Sequence, residues 1–148
     1  MKKTILYLIV IALIAGGGIA YYLFNKPQRT ANDEKPFAVL TTDQLYQEFV
    51  ANDTLAYQKY QGKVLQISGI MGKTDVDASG YRVVNLETEN SDVNVVVTLM
   101  QGATVSSHVG DAITVKGICN GSTIETMLDM LMGDIQLNQG VVIENKNE

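Results

Sequence analysis

The chain has 148 residues, 46% of them hydrophobic, and a formal net charge of −5. That length allows one soluble domain of about 100 residues plus an appendage. With one cysteine, Cys119, and one histidine, His108, it can build neither an internal disulfide framework nor a cysteine-rich or His-pair metal site. The charge is unevenly divided: residues 1–36 hold 5 Lys and Arg against 2 Asp and Glu, while residues 37–148 hold 6 against 14, a net −8. A domain so acidic repels a phosphate backbone, whose binding depends on neutralising Lys and Arg.

Residues 1–3 are a short tail carrying Lys2 and Lys3. Residues 4–24 have no charge and are almost wholly apolar, about the 20 residues that a helix needs to cross a bilayer. They read as a transmembrane anchor with Tyr21 and Tyr22 at the interface. A secretory signal is the alternative, because Gly18-Ile19-Ala20 offers a small-x-small cleavage site. The apolar run continues past it to Phe24, and this length favours the anchor. The short amino tail places the amino end inside and the domain outside, so a single-pass membrane protein is expected, or a secreted one if the segment is cleaved. Ala12, Gly16 and Ala20 recur every fourth residue and suit close helix–helix pairing in a homodimer.

Residues 25–36 hold both prolines, Pro27 and Pro36, and read as a linker to a domain spanning 37–148. Thr41 followed by Gln44 forms a capping box, with Asp43 in the first turn of the helix that follows. Leu45 and Phe49 share one face of that helix, as do Tyr46 and Val50. A second short helix is expected from Leu55 to Tyr60. The aromatics Phe49, Tyr57 and Tyr60 are expected to cover one end of a β domain.

Residues 62–72 (GKVLQISGIMG) begin that domain. Leu65 and Ile67 alternate with Gln66 and Ser68, the period-2 pattern of a half-buried strand. Gly69 interrupts the pattern and predicts a bend, which would let the two halves pair with different partners and close a barrel. Further strands are expected over 81–88, 93–100, 112–119 and 134–143, with a loop over 101–109 in which a short helix could sit. In the last strand Ile135, Leu137, Val141 and Ile143 are in phase. Between the fourth and fifth strands, Ser122 and Glu125 form a second capping box and Gly133 is placed as a stop. Residues 123–132 therefore read as a short helix carrying Met127, Met130 and Met132. Its expected role is to cover the barrel, with an adaptable contact surface as the alternative.

The run Tyr60-Gln-Gly-Lys-Val-Leu-Gln-Ile-Ser-Gly69, residues 109–117 (VGDAITVKG), Cys119-Asn-Gly121 and residues 134–138 (DIQLN) together resemble the tRNA_anti-like family. This family comprises OB-fold proteins that are mostly exported or membrane-tethered in bacteria, without an established activity. The resemblance extends over roughly residues 40–145. It implies a mainly β fold: a five-stranded OB-fold barrel with an N-terminal helical segment and a short helix between strands four and five, preceded by the transmembrane helix. Relatives often carry a second cysteine in the final strand, where this chain has Gly140.

OB-folds bind through the face of strands two and three and through the loops after strands one and four. The resemblance thus implies binding at Lys73, Asp75, Asp77, Tyr81 and Arg82 on one side, and at Met127 and Met130 on the other. Tyr81 is the sole aromatic from Gly62 onward, which leaves no stacking platform for a nucleic acid strand. His108 stands beside Ser106 and Ser107 with no acid–base partner, and Cys119 lies on an apolar strand face, so no enzyme is expected. Asp75, Asp77, Asp129 and Asp134 lack the dense spacing of a calcium loop; neither a metal nor a cofactor is expected. These readings converge on a non-enzymatic, membrane-tethered interaction module of the cell envelope with a protein partner. A small-ligand or oligosaccharide binder is the alternative, and nucleic-acid binding a third, less favoured reading.

Overall fold

Chain entry into the domain is by a short strand, β1 (Ala38–Thr41), which the sequence pattern does not announce. The computed structural model describes residues 16–19, 21, 22, 31, 34–127 and 129–143. Most of the expected anchor, Ala12 and Ala20 included, lies outside these residues, as does most of the linker. Residues 16–19, 21 and 22 are helical and exposed. Among the described residues no helix is long and apolar enough to cross a membrane.

Thr41 ends β1 and caps α1 (Thr42–Ala51). Its Oγ1 accepts the Gln44 N–H at 3.2 Å, and Gln44 Oε1 accepts the Thr41 N–H at 3.0 Å, which satisfies two otherwise orphaned donors. The second helix, α2 (Asp53–Tyr60), starts two residues earlier than expected because the Asn52 side chain accepts the Leu55 N–H at 3.0 Å. Leu45, Phe49, Ala56 and Tyr60 from these helices join the buried core of the β domain. The Phe49 and Tyr60 rings stand 6.4 Å apart. Each such buried aromatic contributes about 1.5–3 kcal/mol through removal from water. Tyr57 also lies against the barrel but is less enclosed than Phe49 and Tyr60. It is partly exposed, and its ring lies over Gly121, where an added Cβ would be 2.8 Å away.

The remaining strands are β2 (Val64–Val76), β3 (Arg82–Glu87), β4 (Val93–Leu99), β5 (Ala112–Ser122), β6 (Glu125–Met127) and β7 (Met130–Ile143). Five of them close a ring in the order β2-β3-β4-β7-β5 and back to β2. The β4–β7 pair is parallel and the other four contacts of the ring are antiparallel. The fold is mainly β and OB-fold-like. The connection over residues 101–109 contains no helix.

The long strand β2 makes closure feasible. Val64 to Ile70 pair with β5, and Met71 to Val76 pair with β3. The partner changes at Ile70 and Met71, and the register slips between Met71 and Lys73. Gly69 therefore sits one residue before the handover. Its own requirement is space: a Cβ there would lie 2.4 Å from Cγ2 of buried Thr42, at the start of α1. On β4, Val93, Val95, Val97 and Leu99 point into the core, while Asn94, Val96 and Thr98 alternate outward.

The expected helix over residues 123–132 is replaced by a β-hairpin. β6 pairs with the first residues of β7, Glu125 opposite Met132 and Met127 opposite Met130. The backbone before it is already committed to β7: Ser122 pairs with Ile135, and the Thr123 N–H donates to the Asp134 carbonyl at 2.8 Å. The Ser122 hydroxyl donates to Asp53 instead of capping a helix. Asp129 turns the chain at φ 64°, a left-handed conformation that aspartate tolerates. Gly133 is a crossing point instead of a helix stop. Its φ is 137°, and a Cβ would lie 2.4 Å from the Thr123 carbonyl oxygen.

Candidate ligand-binding face

Strand alternation and register place Val83, Asn85 and Glu87 of β3 beside Thr98, Val96 and Asn94 of β4 on the outer face of the ring. Asp75 and Lys73 of β2 extend this face past Val83 and Asn85. Asp134 and Gln136 of β7 extend it past Asn94 and Val96. One cation thus meets three carboxylates, those of Asp75, Glu87 and Asp134. The Lys73 ammonium is 3.0 Å from the Asp75 carboxylate. Its hydrogen bond, with one from the Val76 N–H, holds the Asp75 carboxyl below the usual carboxylate range. The face is therefore acidic and its lysine is already engaged.

At one end of the face lies the β2–β3 loop. Asp77 organises this loop from within: its Oδ1 accepts the N–H groups of Ser79 at 2.8 Å and Tyr81 at 2.9 Å. This holds the partly exposed Tyr81 at the rim, with the exposed Arg82 beginning β3. At the other end is the β6–β7 hairpin. There Met127 and Met130 form a cross-strand pair, 59% and 51% exposed, with Met132 at 43%. Asn90 ties the hairpin to α1, its Nδ2 donating to the Tyr46 hydroxyl at 3.2 Å and to the Leu131 carbonyl at 3.5 Å. The residues singled out from the sequence thus form two groups, Lys73, Asp75, Asp77, Tyr81 and Arg82 at one end and Met127 and Met130 at the other. The length of β4 separates them, about 20 Å at the usual rise per residue.

Beside Tyr81 the structure contains a cleft of about 540 Å³ lined by Tyr81, Thr98, Leu99, Met100, Gln101, Asn138 and Gln139. It forms at a bulge. Val97 pairs with Leu137 and Leu99 with Gly140, so β7 has one residue more than β4 over this interval. Gln139 takes up the excess at φ 53°, unusual for a residue with a Cβ. Its Oε1 is buried without a hydrogen-bond partner among the described residues. Gly140 then lets β7 return to β4, since a Cβ there would lie 2.4 Å from Val97 Cγ1. Of the cleft residues, the sequence pattern points only to Tyr81. A signal was present nonetheless: in the phase Ile135, Leu137, Val141 and Ile143, the inward position 139 is a glutamine followed by glycine, which marks a bulge.

The two reactive side chains lie elsewhere. Cys119 is buried in the core, where burial pushes its thiol pKa up against a smaller lowering by the Gly121 backbone. His108 is exposed, with Nδ1 3.8 Å from Asp111 Oδ2.

Comparison with known proteins accords with this architecture. A fold match is the crystal structure of a lipoprotein from Klebsiella pneumoniae named as a candidate nucleic acid-binding protein. It has a TM-score of 0.53 at 16% identity, over 71% of this chain and 91% of that one. The asparaginyl-tRNA synthetase of Entamoeba histolytica in complex with asparaginyl-adenylate aligns with a TM-score of only 0.41 at 13% identity, over 77% of this chain and 27% of that one, and carries no argument about this chain. At 16% identity the likeness to the Klebsiella structure concerns the fold alone. No curated protein matches the sequence. The sequence profile of the tRNA_anti-like family matches residues 1–130, from the amino terminus through β6 and its turn, and the chain belongs to that family.

Proposed function

We propose that this chain is a non-enzymatic OB-fold interaction module held at the cell envelope, taking a protein partner across the outer face of β3 and β4 and the β6–β7 hairpin. The observation that carries the reading is the methionine hairpin. Met127, Met130 and Met132 extend from the ring with about half of each side chain in water, instead of lying on a helix that covers the barrel. Methionine is flexible and polarisable, and grouped on a surface it suits contact with another protein. The envelope location draws on the uncharged segment 4–24 and on the lipoprotein nature of the Klebsiella neighbour. That neighbour is also named for nucleic acid. Here the outer face sets one paired lysine against three carboxylates, with one aromatic at its rim, and such a face repels a phosphate backbone and cannot stack a strand.

The test is a pull-down from solubilised membranes with the wild-type chain and the Met127→Ser/Met130→Ser variant. Both side chains are exposed, so the variant should fold with stability within about 0.5 kcal/mol per site. A stoichiometric protein recovered with wild type should fall about tenfold or more with the variant, the loss that about 1.4 kcal/mol of contact energy produces. Equal recovery would count against the hairpin. Micromolar binding of single-stranded RNA at low salt would count against the whole reading.

A further inference from the structure

The cleft at the Gln139 bulge has a chemistry different from the rest of the outer face. We propose that it is a binding subsite for an uncharged, hydroxyl-rich ligand, a sugar unit of a glycan. This rests on the chain being a binding module and adds a ligand class to it.

Three features lead there. The first is the lining. Among the described residues it offers one aromatic ring from Tyr81, the Thr98 hydroxyl, the carboxamides of Gln101, Asn138 and Gln139, and the apolar Leu99 and Met100, and the phenol is the one ionisable group of these. Carboxamides donate and accept at once, as do the neighbouring hydroxyls of a sugar, and an aromatic ring matches a sugar's C–H face. A phosphate or carboxylate would find no cation among these described residues. The second is size: about 540 Å³ is within the range of small-molecule sites.

The third is the state of Gln139. It holds a left-handed backbone that glycine would adopt with less strain, and its Oε1 is covered and unpaired among the described residues. Strained backbone and unsatisfied polar groups of this kind concentrate at ligand sites. Gln139 lines the cleft, so a ligand hydroxyl that reaches its Oε1 would supply the donor this acceptor lacks. The ligand must therefore bring a donor, which a sugar does without charge.

The test titrates the full chain, in a detergent free of sugar headgroups, with the N-acetylglucosamine tetramer and separately with the glucose tetramer. Binding is read by calorimetry and by the unfolding midpoint. Saturable binding of one tetramer is expected, with a raised midpoint. Preference between the tetramers tells whether the unit is an acetamido sugar or a plain hexose. Gln139→Met should weaken binding at least tenfold while raising the midpoint of the ligand-free chain, because it removes the unpaired acceptor. Tyr81→Ala should weaken binding similarly and leave the ligand-free midpoint near wild type. A merely structural Gln139 would not move the two readouts in opposite directions. The proposal is overturned if neither tetramer binds, if binding survives both variants, or if only a single-stranded oligonucleotide binds. Partner capture through Met127 and Met130 is measured independently. Failure of the titration with capture intact removes this subsite alone, while loss of both removes the binding-module reading.

Discussion

Gly133→Ala should destabilise the domain by about 3 kcal/mol or more in denaturant unfolding, from a positive-φ strain of about 1–3 kcal/mol together with overpacking. The added Cβ would meet the Thr123 carbonyl oxygen at 2.4 Å and the Ile124 Cα at 2.9 Å, and backbone cannot swing aside as a side chain can. At the end of a helix, the same substitution would cost about 1 kcal/mol or less. The measurement thus separates the hairpin from the helix that the local sequence suggests. A loss below about 1 kcal/mol would contradict the crossing described here.

That helix shows how local pattern and tertiary context can disagree. Ser122, Glu125, the run of Met and Leu, and Gly133 satisfy the ordinary signals for a capped helix. What overrides them lies far along the chain or in space. β7 begins at Met130 and draws Gly121 and Ser122 into its ladder, and Asp53 takes the Ser122 hydroxyl. Asp53 lies 69 positions away in the chain, and Ile135 and Gln136 lie beyond the span that the helix signals cover. The same applies to β1, four residues long, which exists because β2 offers it an edge. By contrast, β4 was legible because Val93, Val95, Val97 and Leu99 demand a buried face, and the α1 cap was legible because Thr41 and Gln44 satisfy each other within one turn.

Gly69→Val is the second large effect, with an expected loss of about 2–3 kcal/mol from overpacking against Thr42. The two positions touch: a Cβ at 69 would lie 2.4 Å from Thr42 Cγ2 and 3.1 Å from its Oγ1. Thr42→Ala removes both atoms and leaves the 3.4 Å approach to Cβ, an ordinary contact. In a double-mutant cycle with Gly69→Ala, the pair should therefore show a coupling of about 1 kcal/mol or more. Additive losses would mean that Gly69 serves the strand's bend rather than the seat of α1. The sequence placed a special glycine here correctly but for a different reason, since its partner is 27 positions away in the chain.

The candidate site was less legible than the fold. The acidity of the face could be read from the charge count, and Tyr81 from its isolation among aliphatic strands. The cleft could not be assembled in advance, because it needs Thr98 to Gln101 from the end of β4 and Asn138 and Gln139 from a bulge in β7. The parallel pairing of those two strands is a long-range event with no local signature.

The central claim is that the hairpin end of the outer face meets a protein partner, and site-specific photocrosslinking in intact cells tests it most directly. A photoreactive phenylalanine analogue would replace Met130 in one full-length chain and Val109 in another. Val109 is also exposed, but it precedes β5 at the end of that strand away from the hairpin. The prediction is a discrete crosslinked protein species from position 130 and none from position 109. Equal crosslinking from both positions, or crosslinks from position 130 to nucleic acid, would contradict it.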